Sequence, residues 1–135
     1  MKIFFSSLLL IIVASSCFND AQKRPTTSTE TGTAFIRATL DGNFKDAETL
    51  LLKDEQNTAM FESYKTYYTR LPAEKKQAYK KASYTINTLT EPNDSTNIIN
   101  YSNSYMKQPM DIKVIKRDNT WSIDFKYTSA DSLSN

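Results

Sequence analysis

Hydrophobic residues fall along this chain in three regimes, and each predicts a different kind of structure. The first is a near-continuous apolar run from Ile3 to Val13, behind Lys2 and ahead of the small residues Ala14, Ser15 and Ser16. A cationic start, an apolar middle and a small-residue end make up a secretory leader over residues 1–16. The run is about a dozen residues, short of the roughly 20 that a helix needs to cross a bilayer core, so a cleaved leader is expected rather than a membrane span.

The second regime repeats at helical spacing. Thr27 and Glu30 fit a capping box, and Ala34, Phe35, Ile36, Ala38 and Leu40 carry a first helix to Asp41-Gly42. Glycine there can take the left-handed conformation that closes a helix, and Asn43 with Asp46 can open the next. Phe44, Ala47, Leu50 and Leu51 form that second helix's apolar face. A third helix, from about Asp54 to Arg70, aligns Met60, Phe61, Tyr64, Tyr67, Tyr68 and Leu71. Pro72 cannot sit inside a helix, so residues 73–81 form either a fourth helix or an offset continuation of the third.

The third regime alternates. Tyr84, Ile86 and Thr88, then Ile99 and Tyr101, then Met110, Ile112 and Val114, then Trp121, Ile123, Phe125 and Tyr127 mark four strands, with turns at Pro92–Ser95 and Arg117–Thr120. Short connections make consecutive strands antiparallel neighbours. The expected fold is α+β: three to four N-terminal helices packed on one face of a four-stranded antiparallel meander. The expected organisation is a leader over 1–16, a lipidated flexible tether over 17–29, the α+β domain over 30–128 and a disordered tail over 129–135.

Composition then narrows the function. The 135 residues include no histidine and one cysteine, Cys17, so the domain lacks soft metal ligands, a near-neutral acid–base group and a thiol nucleophile. No metal and no cofactor are expected. Seventeen basic against 15 acidic residues leave no basic excess of the kind nucleic-acid binding needs. The run Lys75-Lys76-Gln77-Ala78-Tyr79-Lys80-Lys81 reads as a solvated helix face, with contact to anionic headgroups or an acidic partner as the sharper alternative.

Cys17 carries the clearest signal. Val13-Ala14-Ser15-Ser16-Cys17 resembles the bacterial lipobox, in which small residues before a cysteine permit cleavage after a diacylglycerol is attached to the thiol; Ala14 stands where leucine is commoner. A lone exported thiol would otherwise lack a partner in an oxidising compartment. The resemblance implies a lipid on Cys17, a membrane partner and a place in the cell envelope. With Phe18 rather than aspartate next, the outer membrane facing the periplasm is expected, and surface exposure stays open.

Two further stretches carry a family resemblance. Phe35-Ile36-Arg37-Ala38-Thr39-Leu40-Asp41-Gly42-Asn43-Phe44-Lys45-Asp46-Ala47 is similar to the helix pair of small bacterial lipoproteins with a nuclear transport factor 2-like, cystatin-like cone fold, a family of unknown function. Ile112 to Asp124, with its turn before Trp121, is similar to that family's terminal hairpin. The resemblance implies a curved sheet wrapping a cavity against the helices. Tyr64, Tyr68, Tyr101 and Trp121, with Tyr67 and Tyr105, are the candidates to line it. The expected function is a non-catalytic binding module for a small molecule or an envelope partner. An isomerase- or dehydratase-like enzyme would instead need a carboxylate, Asp111 or Asp124, beside a tyrosine, yet alternation turns both toward solvent. A structural envelope component is the third reading.

Overall fold

A computed structural model describes residues 23–132; the leader, Cys17 and the residues just after it lie outside the described residues. Four helices come first: α1 (Ser28–Asp41), α2 (Phe44–Thr49), α3 (Glu55–Thr69) and α4 (Ala73–Lys81). Four strands follow, β1 (Tyr84–Asn93), β2 (Thr96–Asn103), β3 (Pro109–Arg117) and β4 (Thr120–Ile123), and a last helix, α5 (Phe125–Ser132), closes the fold. The strands pair in chain order as one antiparallel meander. No helix among the described residues is long and apolar enough to cross a membrane.

Local chemistry explains the boundaries. The Glu30 amide donates to Thr27 Oγ1 at 3.1 Å and the Thr27 amide to Glu30 Oε2 at 3.2 Å, a complete capping box. Gly42 closes α1 at φ 72°, and its amide reaches back to the helix carbonyls. Pro72 adopts φ −57°, ψ 149°, which ends the helical path and makes α4 a separate helix. Asp118 and Asn119 both take positive φ, 47° and 58°, the mirror-image turn that suits a two-residue hairpin between β3 and β4.

The core lies between the helices and one face of the sheet. Phe35, Ile36 and Leu40 of α1 and Phe61 of α3 meet Ile99, Ile112, Val114 and Ile123 of the strands. Phe125 completes it, with ring centres 5.2 Å from Phe61 and 6.1 Å from Phe35. Across the sheet, Val114 stands beside Asn97 on one side and Ile123 on the other, so these three share the inner face.

Four features depart from the sequence-based expectation. The alternation through Phe125 and Tyr127 predicts a longer last strand and a tail from residue 129, whereas β4 ends at Ile123 and α5 runs from Phe125 to Ser132. The buried Asn57 of α3 explains the switch: its Oδ1 accepts the Lys126 amide at 2.9 Å and so satisfies a first-turn donor of α5. The expected tether over residues 17–29 overlaps placed chain, because α1 begins at Ser28 and Arg24 donates to the Trp121 carbonyl at 3.4 Å and to Ser122 Oγ at 3.2 Å; residues 17–22 lie outside the described residues.

Tyr67, aligned by spacing with the apolar face of α3, is 58% exposed. The buried face is centred on Phe61 and Tyr68, and Tyr67 sits about 100° round the helix from its neighbour Tyr68. Finally, α2 stops at Thr49, and Leu50 to Leu52 run beside β4. The Ile123 amide donates to the Leu50 carbonyl at 2.8 Å and the Leu52 amide to the Ile123 carbonyl at 2.9 Å. This strap covers one edge of the sheet. The other edge, β1, is unpaired among the described residues, largely exposed, interrupted by two irregularities in register and carries Pro92.

Candidate functional site

The sequence-predicted lining residues separate into two groups. Tyr64 and Tyr68 of α3 and Tyr101 of β2 gather at one end of the space between helices and sheet, with Tyr79 of α4. Rings pack against rings there: Phe44 lies 5.8 Å from Tyr64 and 4.9 Å from Tyr68, and Tyr68 lies 6.2 Å from Tyr79. Burial pushes the Tyr64 and Tyr101 phenols well above the usual tyrosine range, and neighbouring phenols add to the effect. Both are therefore neutral donors at physiological pH. The Tyr101 hydroxyl finds only the Met110 sulfur, at 3.9 Å.

The carboxylates weighed as catalytic partners are engaged elsewhere. Asp111 Oδ1 accepts from Asn100 Nδ2 at 2.5 Å. Asp124, which alternation turns toward solvent, is instead only 13% exposed at its side chain; it lies 3.8 Å from Lys113 Nζ and 3.7 Å from Lys126 Nζ, and its Oδ1 is buried without a hydrogen-bond partner among the described residues. Neither is bonded to a tyrosine among the described residues, and no group of three or more potential ligands that could hold a metal ion occurs there.

Trp121 stands at the opposite end of the same inner face, beside Lys116, whose Nζ lies 5.5 Å from the indole centre. A groove of about 500 Å³ opens there, lined by Ser28 at the start of α1, by Glu91, Pro92, Asn93, Asp94, Thr96 and Asn97 of the β1–β2 hairpin, and by Trp121. Asn97 is 1% exposed. Its Nδ2 donates to Ser28 Oγ at 2.9 Å and to Glu91 Oε1 at 3.5 Å, while its Oδ1 is buried without a partner among the described residues. A second recess, of about 230 Å³, lies between Leu51, Leu52 and Phe61 and is rimmed by Glu48 and Glu62. Lys65 bridges those two carboxylates, which leaves little free chemistry at its rim.

An indole beside carboxylates, amides and hydroxyls, with one amide oxygen unanswered, can hold a small polar molecule by stacking and hydrogen bonding. Compared with protein-family models, curated proteins and solved structures, the chain matches none. The groove is therefore read from its own residues. Sequence reasoning singled out Trp121 and passed over Glu91, Asn97 and Ser28. One signal was available: continuing the Ile99/Tyr101 alternation by two places in each direction puts Asn97 and Asn103 on the core side, where an amide needs a reason.

Proposed function

We propose that this chain is a cell-envelope protein anchored by a lipid on Cys17, whose α+β domain, of the nuclear transport factor 2-like cone type, binds a small polar molecule without transforming it. Anchoring and compartment rest on the lipobox resemblance, and the cone on the helix-pair and hairpin resemblance; the helical layer over a four-stranded meander is consistent with it. The observation that carries the binding reading is the Trp121 groove; behind its lining the Asn97 oxygen is buried without a partner among the described residues. Asp111 is held by Asn100, and Asp124 is flanked by two lysines with no bond to Tyr64, Tyr68 or Tyr101, which favours binding over Asp–Tyr catalysis.

Two experiments test this. Cys17→Ala should abolish acyl labelling and move the protein out of the membrane fraction; unchanged partitioning sinks the anchor. Trp121 is the only tryptophan, so its fluorescence reports on the groove alone. Native mass spectrometry of the exported protein should reveal a co-purifying small molecule, and neutral mono- and disaccharides added to emptied protein should shift the Trp121 emission. An empty groove and a flat titration would leave a structural envelope component as the better reading.

A further inference from the structure

Three of the four large, substantially exposed apolar side chains among the described residues, Tyr67, Tyr105 and Met106, fall at one corner of the molecule. Tyr79 joins them. Its ring centre lies 4.9 Å from Tyr105 and its hydroxyl 3.3 Å from the Met106 sulfur, and burial together with the nearby Tyr67 pushes its phenol up. The corner is held firmly. Asn103, 3% exposed, accepts the backbone amides of Tyr105 and Met106 at 3.0 and 2.8 Å, and the Ser104 amide donates to the Ser83 carbonyl at 2.9 Å. A buried side chain is thus committed to a loop whose tip offers two apolar groups to solvent.

Positive charge is concentrated on the helix beside this tip. Between Arg70 and Lys81 stand five basic residues against one carboxylate, Glu74, in a chain otherwise close to balance. Lys75, Lys80 and Lys81 are exposed, as is Lys107 in the loop itself. Arg37 of α1 binds the Lys80 and Ala82 carbonyls at 3.1 and 2.9 Å, which fixes the end of α4 against the body of the domain. Amphipathic tyrosine and methionine beside a lysine-rich helix is the chemistry that a headgroup region of negative charge accepts.

We propose that the corner formed by α4 and the β2–β3 loop seats the domain on an anionic lipid bilayer, with Tyr67, Tyr105 and Met106 at the headgroup level and the α4 lysines against lipid phosphates. Chain length permits this alongside the Cys17 lipid, on which the proposal leans for its orientation. The corner lies at the far end of α1 from Arg24, a helix about 21 Å long. The segment from Cys17 to Arg24 extends to at most about 25 Å. The domain can therefore rest along the bilayer with both points engaged.

The test uses the full exported chain added to vesicles of pure phosphatidylcholine or of phosphatidylcholine with one third phosphatidylglycerol. A membrane-impermeant amine reagent is applied, and labelling is read by mass spectrometry with the exposed Lys53 as reference. Labelling of Lys75, Lys80 and Lys81 should fall about threefold or more on the anionic vesicles and recover at high salt. Tyr105→Ser with Met106→Ser should restore it; the backbone amides that Asn103 holds are unaffected by those changes. Attachment to both vesicles with equal labelling overturns the docking face and leaves the anchor standing. Attachment to anionic vesicles alone, with protection, supports the face and removes the anchor. Attachment to neither removes both.

Discussion

At Gly42 the backbone sits at φ 72°, and a Cβ there would lie 2.8 Å from the Tyr68 hydroxyl. Two penalties coincide, a left-handed conformation that side chains resist and a close approach to an aromatic group packed against Phe44. Gly42→Ala should therefore destabilise the domain by about 1–2 kcal/mol, seen as a lower urea midpoint with an unchanged slope. Gly32 presents a different demand. Its φ is ordinary, but a Cβ would come within 2.2 Å of Ile99 Cδ1 in the fully buried core, so an alanine there acts by overpacking. About 1–3 kcal/mol is the scale of such a clash.

Among the elements, α5 depends on a contact that no local pattern announces. Asn57 accepts the Lys126 amide and donates to Asp54 Oδ2 at 2.9 Å, and Asp54 in turn pairs with Lys126 Nζ at 3.0 Å. Asn57→Ala leaves a first-turn amide of α5 without its acceptor, and a loss of about 1–3 kcal/mol is expected, with amide exchange accelerated first in α5. This also marks the limit of what the sequence made legible. Thr27, Glu30, Gly42, Asn43 and Pro72 act through neighbours a few residues away, so both ends of α1 and the starts of α2 and α4 could be read from them. Residues 124–132 are set by a side chain 69 positions earlier, and alternation at Phe125 and Tyr127 pointed to a strand instead. The site followed the same division. Trp121 was visible by residue type, whereas Glu91 and Ser28 reach the groove only because the β1–β2 hairpin folds back beside the start of α1.

For the whole molecule, the missing histidine and the tyrosine cluster together set the response to pH. With no histidine in the chain and no cysteine among the described residues, no side-chain type of near-neutral reference pKa is present there, and stability should be flat from about pH 5 to pH 9. Below that, Asp54 matters: the Asn57 amide and Lys126 hold its carboxyl below the usual range, so its contribution is full above about pH 4 and fades as acid protonates the folded form. At the alkaline side the sign reverses. Burial raises the Tyr64 and Tyr101 phenols in the folded state, so the unfolded chain ionises first, and stability falls as pH climbs beyond the ordinary tyrosine value of 10.0. Lys65 and Lys126, raised by their carboxylate partners, add to the same decline. Thermal melts across pH should show this shoulder, and Tyr64→Phe should shift it upward; a shoulder unmoved by that change would mean the phenol is solvated.

The β1 edge, unpaired among the described residues, has a consequence for how many copies can share one surface. Molecules confined to two dimensions collide often, and an open row of donors and acceptors would invite them to zip into ribbons. Here that row is broken by two bulged positions and by a proline that has no amide hydrogen to offer. The β1 edge therefore resists pairing with a second copy even where the proposed lipid anchor would crowd molecules together on one membrane.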